Sequence, residues 1–203
     1  SPAKGQLCES LSVPELAKIF TDNGASALSV HTSAPFQGKL SDIAAVRDVS
    51  PLPILRKDFI IDEYQLYESR AAGADAILLI AAILTDAELN QFLATANRLG
   101  MDCLVEVHSL AELERVKSTS ASLVGINNRD LNTFTTDIAN TFSLLPHCNP
   151  RWRLISESGI GSRSDASQLK QAGVHGILVG ESLVKAVDIA AHCRDLALRQ
   201  AVS

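Results

Sequence analysis

Long hydrophobic runs, blocks of positive charge and paired cysteines are all scarce in this sequence, and each scarcity removes a class of function. The longest apolar run covers residues 76–84, far short of the roughly 20 residues that span a bilayer. Nothing reads as a signal peptide, so no membrane partner is expected. The net charge is -5 and basic residues form no block. A nucleic-acid partner therefore has no electrostatic footprint, and an anionic ligand must be captured locally rather than by a global field. Cys8, Cys103, Cys148 and Cys193 are scattered without a CxxC. They read as free thiols of a reducing compartment, which makes the cytoplasm the expected location. His31, His108, His147, His175 and His192 have no metal-ligand spacing, and no metal or cofactor is expected. No nucleophile elbow signals a Ser-His-Asp arrangement. Gly159-Ile160-Gly161 lacks the third glycine of a dinucleotide fingerprint.

What is present is an ordinary globular composition, 203 residues with 46% hydrophobic and 20% charged, enough for one sizeable core and read as a single domain over 1–203. One phrase recurs. Ala72-Gly73-Ala74-Asp75 precedes Ala76-Ile77-Leu78-Leu79-Ile80, and Ala172-Gly173-Val174 precedes His175-Gly176-Ile177-Leu178-Val179. Looser copies sit at Gly24 and Gly100. Each time a helix ends on glycine and a short apolar strand follows, a repeating αβ unit. Strands are expected to end near Val30, Lys57, Ile80, Glu106, Ile126, Glu157 and Val179. Helices are expected near 13–23, 40–49, 62–72, 86–99, 109–118, 136–145, 163–172 and 182–199. Strands joined by single helices are parallel. The expected fold class is α/β, a TIM (β/α)8 barrel apparently lacking strand 1 and the N-terminal helix, since seven strands are found where closure takes eight. A doubly wound open sheet is the alternative, but its Gly-rich first turn is missing.

Four strands close on polar groups, Lys57, Glu106, Asn127 and Glu157. Two residues before each stands Leu55, Leu104, Gly125 or Ile155, so alternation puts each polar group on its strand's inward face. In a barrel the four converge on one mouth. An ammonium on an apolar face is costly unless something uses it. Set between two carboxylates it becomes tolerable, and burial can move the individual pKa values toward proton transfer. The alternative is a buried structural ion network. The last two strands run into Ser156-Glu157-Ser158-Gly159-Ile160 and Val179-Gly180-Glu181-Ser182. Small residues before a helix N-terminus suit an anion, and the turns after the last two strands are the usual barrel phosphate site. Ordinary tight turns capped by serine are the plainer alternative. Trp152 reads as packing.

These motifs resemble the indole-3-glycerol-phosphate synthase family of tryptophan biosynthesis across nearly the whole chain. The resemblance rests on Ser1-Pro2-Ala3-Lys4-Gly5, Ile54-Leu55-Arg56-Lys57-Asp58-Phe59-Ile60-Ile61-Asp62 and Leu104-Val105-Glu106-Val107-His108. It continues through Gly125-Ile126-Asn127-Asn128-Arg129-Asp130-Leu131, Ser156-Glu157-Ser158-Gly159-Ile160 and Val179-Gly180-Glu181-Ser182-Leu183. It implies a cofactor-free carboxy-lyase that turns 1-(2-carboxyphenylamino)-1-deoxyribulose 5-phosphate into indole-3-glycerol phosphate, carbon dioxide and water. By the same resemblance Lys57 is the general acid at the ribulose carbonyl and Glu106 the acid/base group of the later steps. Asn127 positions substrate hydroxyls and Glu106, while Arg129 and Glu157 hold the carboxylate end and orient charge. Ser158, Gly159, Gly180 and Glu181 offer the phosphate their turn backbones. Phe36, Phe59, Leu78, Ile80 and Leu131 match the pocket for the aromatic ring, with plain core packing as the alternative, above all for Leu78 and Ile80.

The chain also departs from the family pattern. Family members carry a glutamate and a lysine on the first barrel strand, upstream of the Ser-Pro motif at which this chain opens, and a helix before that. Ala3 stands where serine is common, and His31-Thr32-Ser33-Ala34-Pro35-Phe36 replaces an acidic-Lys-Tyr-Phe run. The expectation is a truncated protein that binds substrate poorly and turns it over slowly. A catalytically impaired fragment, or a non-catalytic barrel domain of a larger protein, is the competing class. A barrel related to phosphoribosylanthranilate isomerase or to tryptophan synthase α ranks lower, because neither needs Lys57 together with the Gly125 motif. The expected partner is a phosphorylated small molecule. The expected state is a monomer or weak oligomer, with fusion to other tryptophan-pathway domains left open, as is a plastid location in a plant or alga.

Overall fold

The chain was analysed as a computed structural model, which describes residues 11–130 and 133–199. The Ser1-Pro2-Ala3-Lys4-Gly5 motif, Cys8 and Leu131 lie outside the described residues. Seven strands form one parallel sheet: β1 (Leu28–His31), β2 (Ile54–Lys57), β3 (Ala76–Ile80), β4 (Asp102–Val107), β5 (Leu123–Asn127), β6 (Arg153–Glu157) and β7 (Gly176–Leu178). Their spatial order is their chain order. A doubly wound sheet reverses direction at a switch point, so sequential order rules it out.

Helices alternate with the strands: α1 (Val13–Asp22), α2 (Ser41–Arg47), α3 (Tyr64–Ala71), α4 (Asp86–Arg98), α5 (Leu110–Lys117), α6 (Ala139–Leu144) and α7 (Arg163–Gln171). Ser12 and Thr85 close capping boxes with Glu15 and Glu88 at the starts of α1 and α4, satisfying amide groups that a helix start leaves without partners. The recurring glycine does one job. Gly73, Gly100 and Gly173 stand just past their helices at φ +93, +70 and +93, where an added Cβ would meet nothing. Backbone angle rather than crowding demands glycine there. The expected helix over 182–199 is instead two, α8 (Glu181–Val184) and α9 (Ile189–Leu196). Asp188 breaks the run, because its side chain accepts from the Ala191 amide and caps a fresh helix start.

The central strands are largely buried on both faces. Outward residues such as Ile54, Ile77, Leu79, Val105, Val124 and Ile126 pack with Leu66, Leu89, Leu113 and Val116 of the helices. Inward residues Leu55, Leu78, Ile80 and Leu104, with Ala76, Leu123, Ile155 and Leu178 beside them, form a separate inner cluster. The register makes that inner face continuous, since Leu78 pairs with Leu104, Ile80 with Glu106, Glu106 with Gly125 and Asn127 with Glu157. β1 and β7 are the two edges. A cavity of about 980 Å³ lies between them, lined by Leu28, Ser29, Gly176 and Leu178, and it extends to His31 and Phe36.

Candidate active site at the strand ends

The four polar strand ends do share the inward face, at the C-terminal rim of the sheet. Lys57 Nζ lies 3.3 Å from Glu106 Oε2 and 3.6 Å from Glu157 Oε2. The lysine side chain is 19% exposed, and the two carboxylates are 5% and 1% exposed. Two acids and one ammonium therefore share a nearly dry site. Asn127, buried beside them, accepts a hydrogen bond from the Arg129 amide through Oδ1 at 3.0 Å. Gly125 leaves the space that Glu157 fills, because a Cβ at position 125 would collide with the Glu157 carboxylate.

Burial and charge pull the two acids apart. Burial resists the charge on Glu106, yet His108, Lys57 and Asn127 together hold its carboxyl well below the usual range. For Glu157 the same two cations are outweighed. Burial and the charge of Glu106 push its pKa up, with Lys57 only partly opposing them, and its oxygens have no hydrogen-bond donor among the described residues. Lys57 also resists ionisation through burial, but Glu157 and Glu106 outweigh this and raise its pKa. The outcome is a protonated donor, an ionised acceptor and a third group that keeps its own proton. Pairs of groups whose environments separate their proton affinities carry acid/base chemistry.

Around this centre the remaining expected residues divide. Phe36 stacks on His31 with ring centroids 4.3 Å apart and planes 9° from parallel, and Phe59 tilts against Phe36 at 6.4 Å. Phe59 is half exposed, so this wall has a free edge. His31 pairs in register with Lys57. Burial and the adjacent ammonium push its pKa down to about 4, which leaves a neutral ring. Ile80 stands level with Glu106. Leu78 does not reach the mouth. At 1% exposed it packs with Leu55 and Leu104 one layer below, as floor to this wall.

At the other side Ser158 and Gly159 both take positive φ, +66 and +72, and bend the chain sharply after β6. Asn128 Nδ2 holds this bend by donating to the Ser158 carbonyl at 3.0 Å and to the Ser156 hydroxyl, while its Oδ1 accepts from the Thr141 hydroxyl. The Gly180 position has open space beside it. The Glu181 side chain faces Lys185 at 2.8 Å and Arg129 at 3.7 Å, so its negative charge is already countered next to the bend.

Sequence reasoning overlooked two residues. Arg56, on the opposite face from Lys57, is buried among Thr32, Asp58, Glu68 and Ser69, with contacts of 2.8 to 3.0 Å. It pins the end of β2 from behind. The signal was available, since an arginine in an apolar strand raises the same question of cost as Lys57. His108 lies 3.3 Å from both Glu106 and Glu112. Its partners are carboxylates, so no metal-ligand spacing marks it in the sequence. Among the described residues no cluster of His, Cys, Asp and Glu has the geometry to hold a metal.

Comparisons with known proteins place the chain in a family. The family profile of indole-3-glycerol phosphate synthase matches residues 1–196. The indole-3-glycerol phosphate synthase of Desulforamulus reducens is 50% identical over 198 residues, covering 97% of this chain and 75% of the relative. That of Dehalococcoides mccartyi is 48% identical over 200 residues, covering 97% and 77%. Among solved structures, 3-hexulose-6-phosphate synthase from Salmonella typhimurium superposes with a TM-score of 0.76 at 18% identity, covering 94% of each chain, a likeness of fold alone. On sequence and on the placement of its polar strand ends, the chain belongs to the indole-3-glycerol phosphate synthase family.

Proposed function

We propose that this strand-end mouth closes the indole ring, with Lys57 as general acid and Glu106 as the acid/base group of the later steps. The chain is a carboxy-lyase of tryptophan biosynthesis that forms indole-3-glycerol phosphate, and its substrate is a phosphorylated small molecule. The aromatic carbon attacks the ribulose carbonyl carbon while Lys57 gives its proton to the carbonyl oxygen. The bond to the ring carboxylate then breaks, and its electron pair neutralises the cationic ring as carbon dioxide leaves. Finally Glu106 takes the proton lost from the ring system and passes it to the new hydroxyl, which departs as water, and Lys57 regains its proton from solvent.

The wall of Phe36, Phe59 and Ile80 aligns the aromatic ring, and Leu131 joins it by resemblance. Asn127 orients Glu106 and substrate hydroxyls. Arg129 and the protonated Glu157 face the carboxylate end, where a neutral acid does not repel the substrate. Ser158, Gly159, Gly180 and Glu181 offer backbone N–H groups to the phosphate. Alignment of ring and chain is worth as much here as the acid itself.

We further infer that the sheet is a (β/α)8 barrel in which the seam between β7 and β1 takes one more parallel strand. The support is the sequential parallel order and the apolar cavity at that seam. No described helix is long and apolar enough to cross a membrane, in keeping with a cytoplasmic site of action.

The observation that carries the assignment is the position of Lys57 Nζ between two carboxylates of opposite tendency. The test is the rate of indole-3-glycerol phosphate formation by Lys57→Met and Glu106→Gln, relative to the unsubstituted chain. Each is expected to fall roughly 10²- to 10⁴-fold, as positioned acid/base groups do, with affinity for a reduced, non-cyclising substrate analogue kept within about tenfold. A variant within threefold of the parent rate removes that residue from the mechanism.

A further inference from the structure

His108 sits one residue beyond β4, with its ring lodged between two carboxylates. Nε2 faces Glu106 Oε1 at 3.3 Å and Nδ1 faces Glu112 Oε2 at 3.3 Å. The three side chains are 9%, 5% and 17% exposed. Glu112, in the first turn of α5, is itself fixed. Its Oε2 accepts the His108 amide at 2.8 Å, and its Oε1 accepts the Ser109 hydroxyl at 3.0 Å. From α6, Asn140 Nδ2 donates to the His108 carbonyl at 3.2 Å and to the Asn127 carbonyl at 3.0 Å. Backbone and ring are thus held from both neighbouring helices, and Nε2 lies beside the carboxylate oxygen that Lys57 does not contact.

The charged groups facing His108 are Glu106 on its own strand and Glu112 on α5, with Lys57 on β2 and Glu157 on β6 beyond Glu106. From α6 only a neutral amide faces it. Burial disfavours the imidazolium, but the two carboxylates reverse this and raise its pKa to about 9. Nε2 sits 3.3 Å from Glu106 Oε1, and the close contact and the charge together couple the two groups. This second cation adds to what Asn127 does for Glu106 and what burial does against the charge on Glu157, and so widens the gap between the two acids.

We propose that His108 is a positioning residue of the ring-closing reaction: an imidazolium clamped by Glu112, it keeps Glu106 ionised and turned toward Lys57, and so assigns the spare proton to Glu157. This rests on the reading of Glu106 as the acid/base group. It adds that the choice between two neighbouring acids is made by a residue that does not itself touch substrate.

The test is the pH profile of kcat for His108→Gln, Glu112→Gln, Glu106→Gln and the His108→Gln/Glu106→Gln pair, with binding of the reduced analogue measured alongside. His108→Gln is expected to lower kcat about 10- to 100-fold while analogue affinity stays within threefold. The acidic limb of its profile should rise by a pH unit or more, because Glu106 then takes a proton more readily. Glu112→Gln is expected to shift the limb the same way by less, and the pair to lose no more than Glu106→Gln alone. Full activity of Glu106→Gln overturns the reading of Glu106. An inactive Glu106→Gln beside a His108→Gln with parent rate and parent acidic limb overturns the role of His108 only. Should His108→Gln not fold, nitrogen-15 NMR of the parent protein decides the matter. Both ring nitrogens of His108 protonated at pH 7.5 supports the proposal, and a neutral ring at that pH overturns it.

Discussion

At the scale of single residues, the site works by giving similar groups dissimilar surroundings. Lys57 and His31 stand side by side in register, yet one keeps its proton and the other does not. Two carboxylates face the lysine, whereas the imidazole meets its charge and a stacked phenyl ring. For His31 the folded pKa is depressed, so its contribution to stability is full above 6.5 and is lost as pH falls toward about 4. Proton NMR of the His31 ring should therefore give a midpoint near 4, and a midpoint near the ordinary 6.5 contradicts the assigned surroundings. Lys57, Glu106, Asn127 and Glu157 were legible in the sequence because strand alternation fixes which way each one points. His108 shares the parity of Glu106 but lies past the strand, where alternation no longer constrains a side chain. Its partner Glu112 is reached only by the turn into α5. Leu78 shares the parity of Ile80 but lies one layer deeper, and depth depends on register between strands, which one strand's sequence does not carry.

At the scale of elements, β2, β4, β5 and β6 each bring one polar strand end to the rim, and a small residue beside one of them makes the room. Gly125 carries no side chain so that the Glu157 carboxylate from β6 can occupy the inner layer, with Leu104 of β4 closing the other side. Gly125→Ala is expected to cost about 1–3 kcal/mol of stability, the range for overpacking a filled interior, and to cut activity by displacing Glu157. A urea titration with an unchanged midpoint counts against that packing. The strand and helix positions were readable because a helix ending on glycine and an apolar strand recur along the chain. The break between α8 and α9 was not, since 182–199 is continuous in helical pattern and only the cap formed by Asp188 interrupts it.

At the scale of the whole molecule, the buried charges give stability a pH signature. His108 and Glu157 both have raised pKa values. The first contributes fully below 6.5 and is lost as pH rises toward about 9, and the second contributes fully below 4.5 and is lost toward about 8. His31 and Glu106 have depressed values, and their contributions are lost as pH falls, toward about 4 and about 2 respectively. Between pH 4.5 and 6.5, therefore, His31 gains what Glu157 loses. Between 6.5 and 8 nothing offsets the two losses, and the folded chain holds up to about two protons more than the unfolded one. Urea unfolding should show stability level from pH 4.5 to 6.5 and falling from 6.5 to 8, and a rise over the second interval contradicts the charge assignments.

The claim on which the account turns is that Lys57 and Glu106, brought together from separate strands, act as one proton-handling unit. The most direct measurement is a double-mutant cycle on the single-turnover rate, comparing Lys57→Met, Glu106→Gln and both together. The account predicts that the double variant is slower than the worse single by less than about tenfold, as groups acting as a unit behave. Losses that multiply in full would show two independent residues and contradict it.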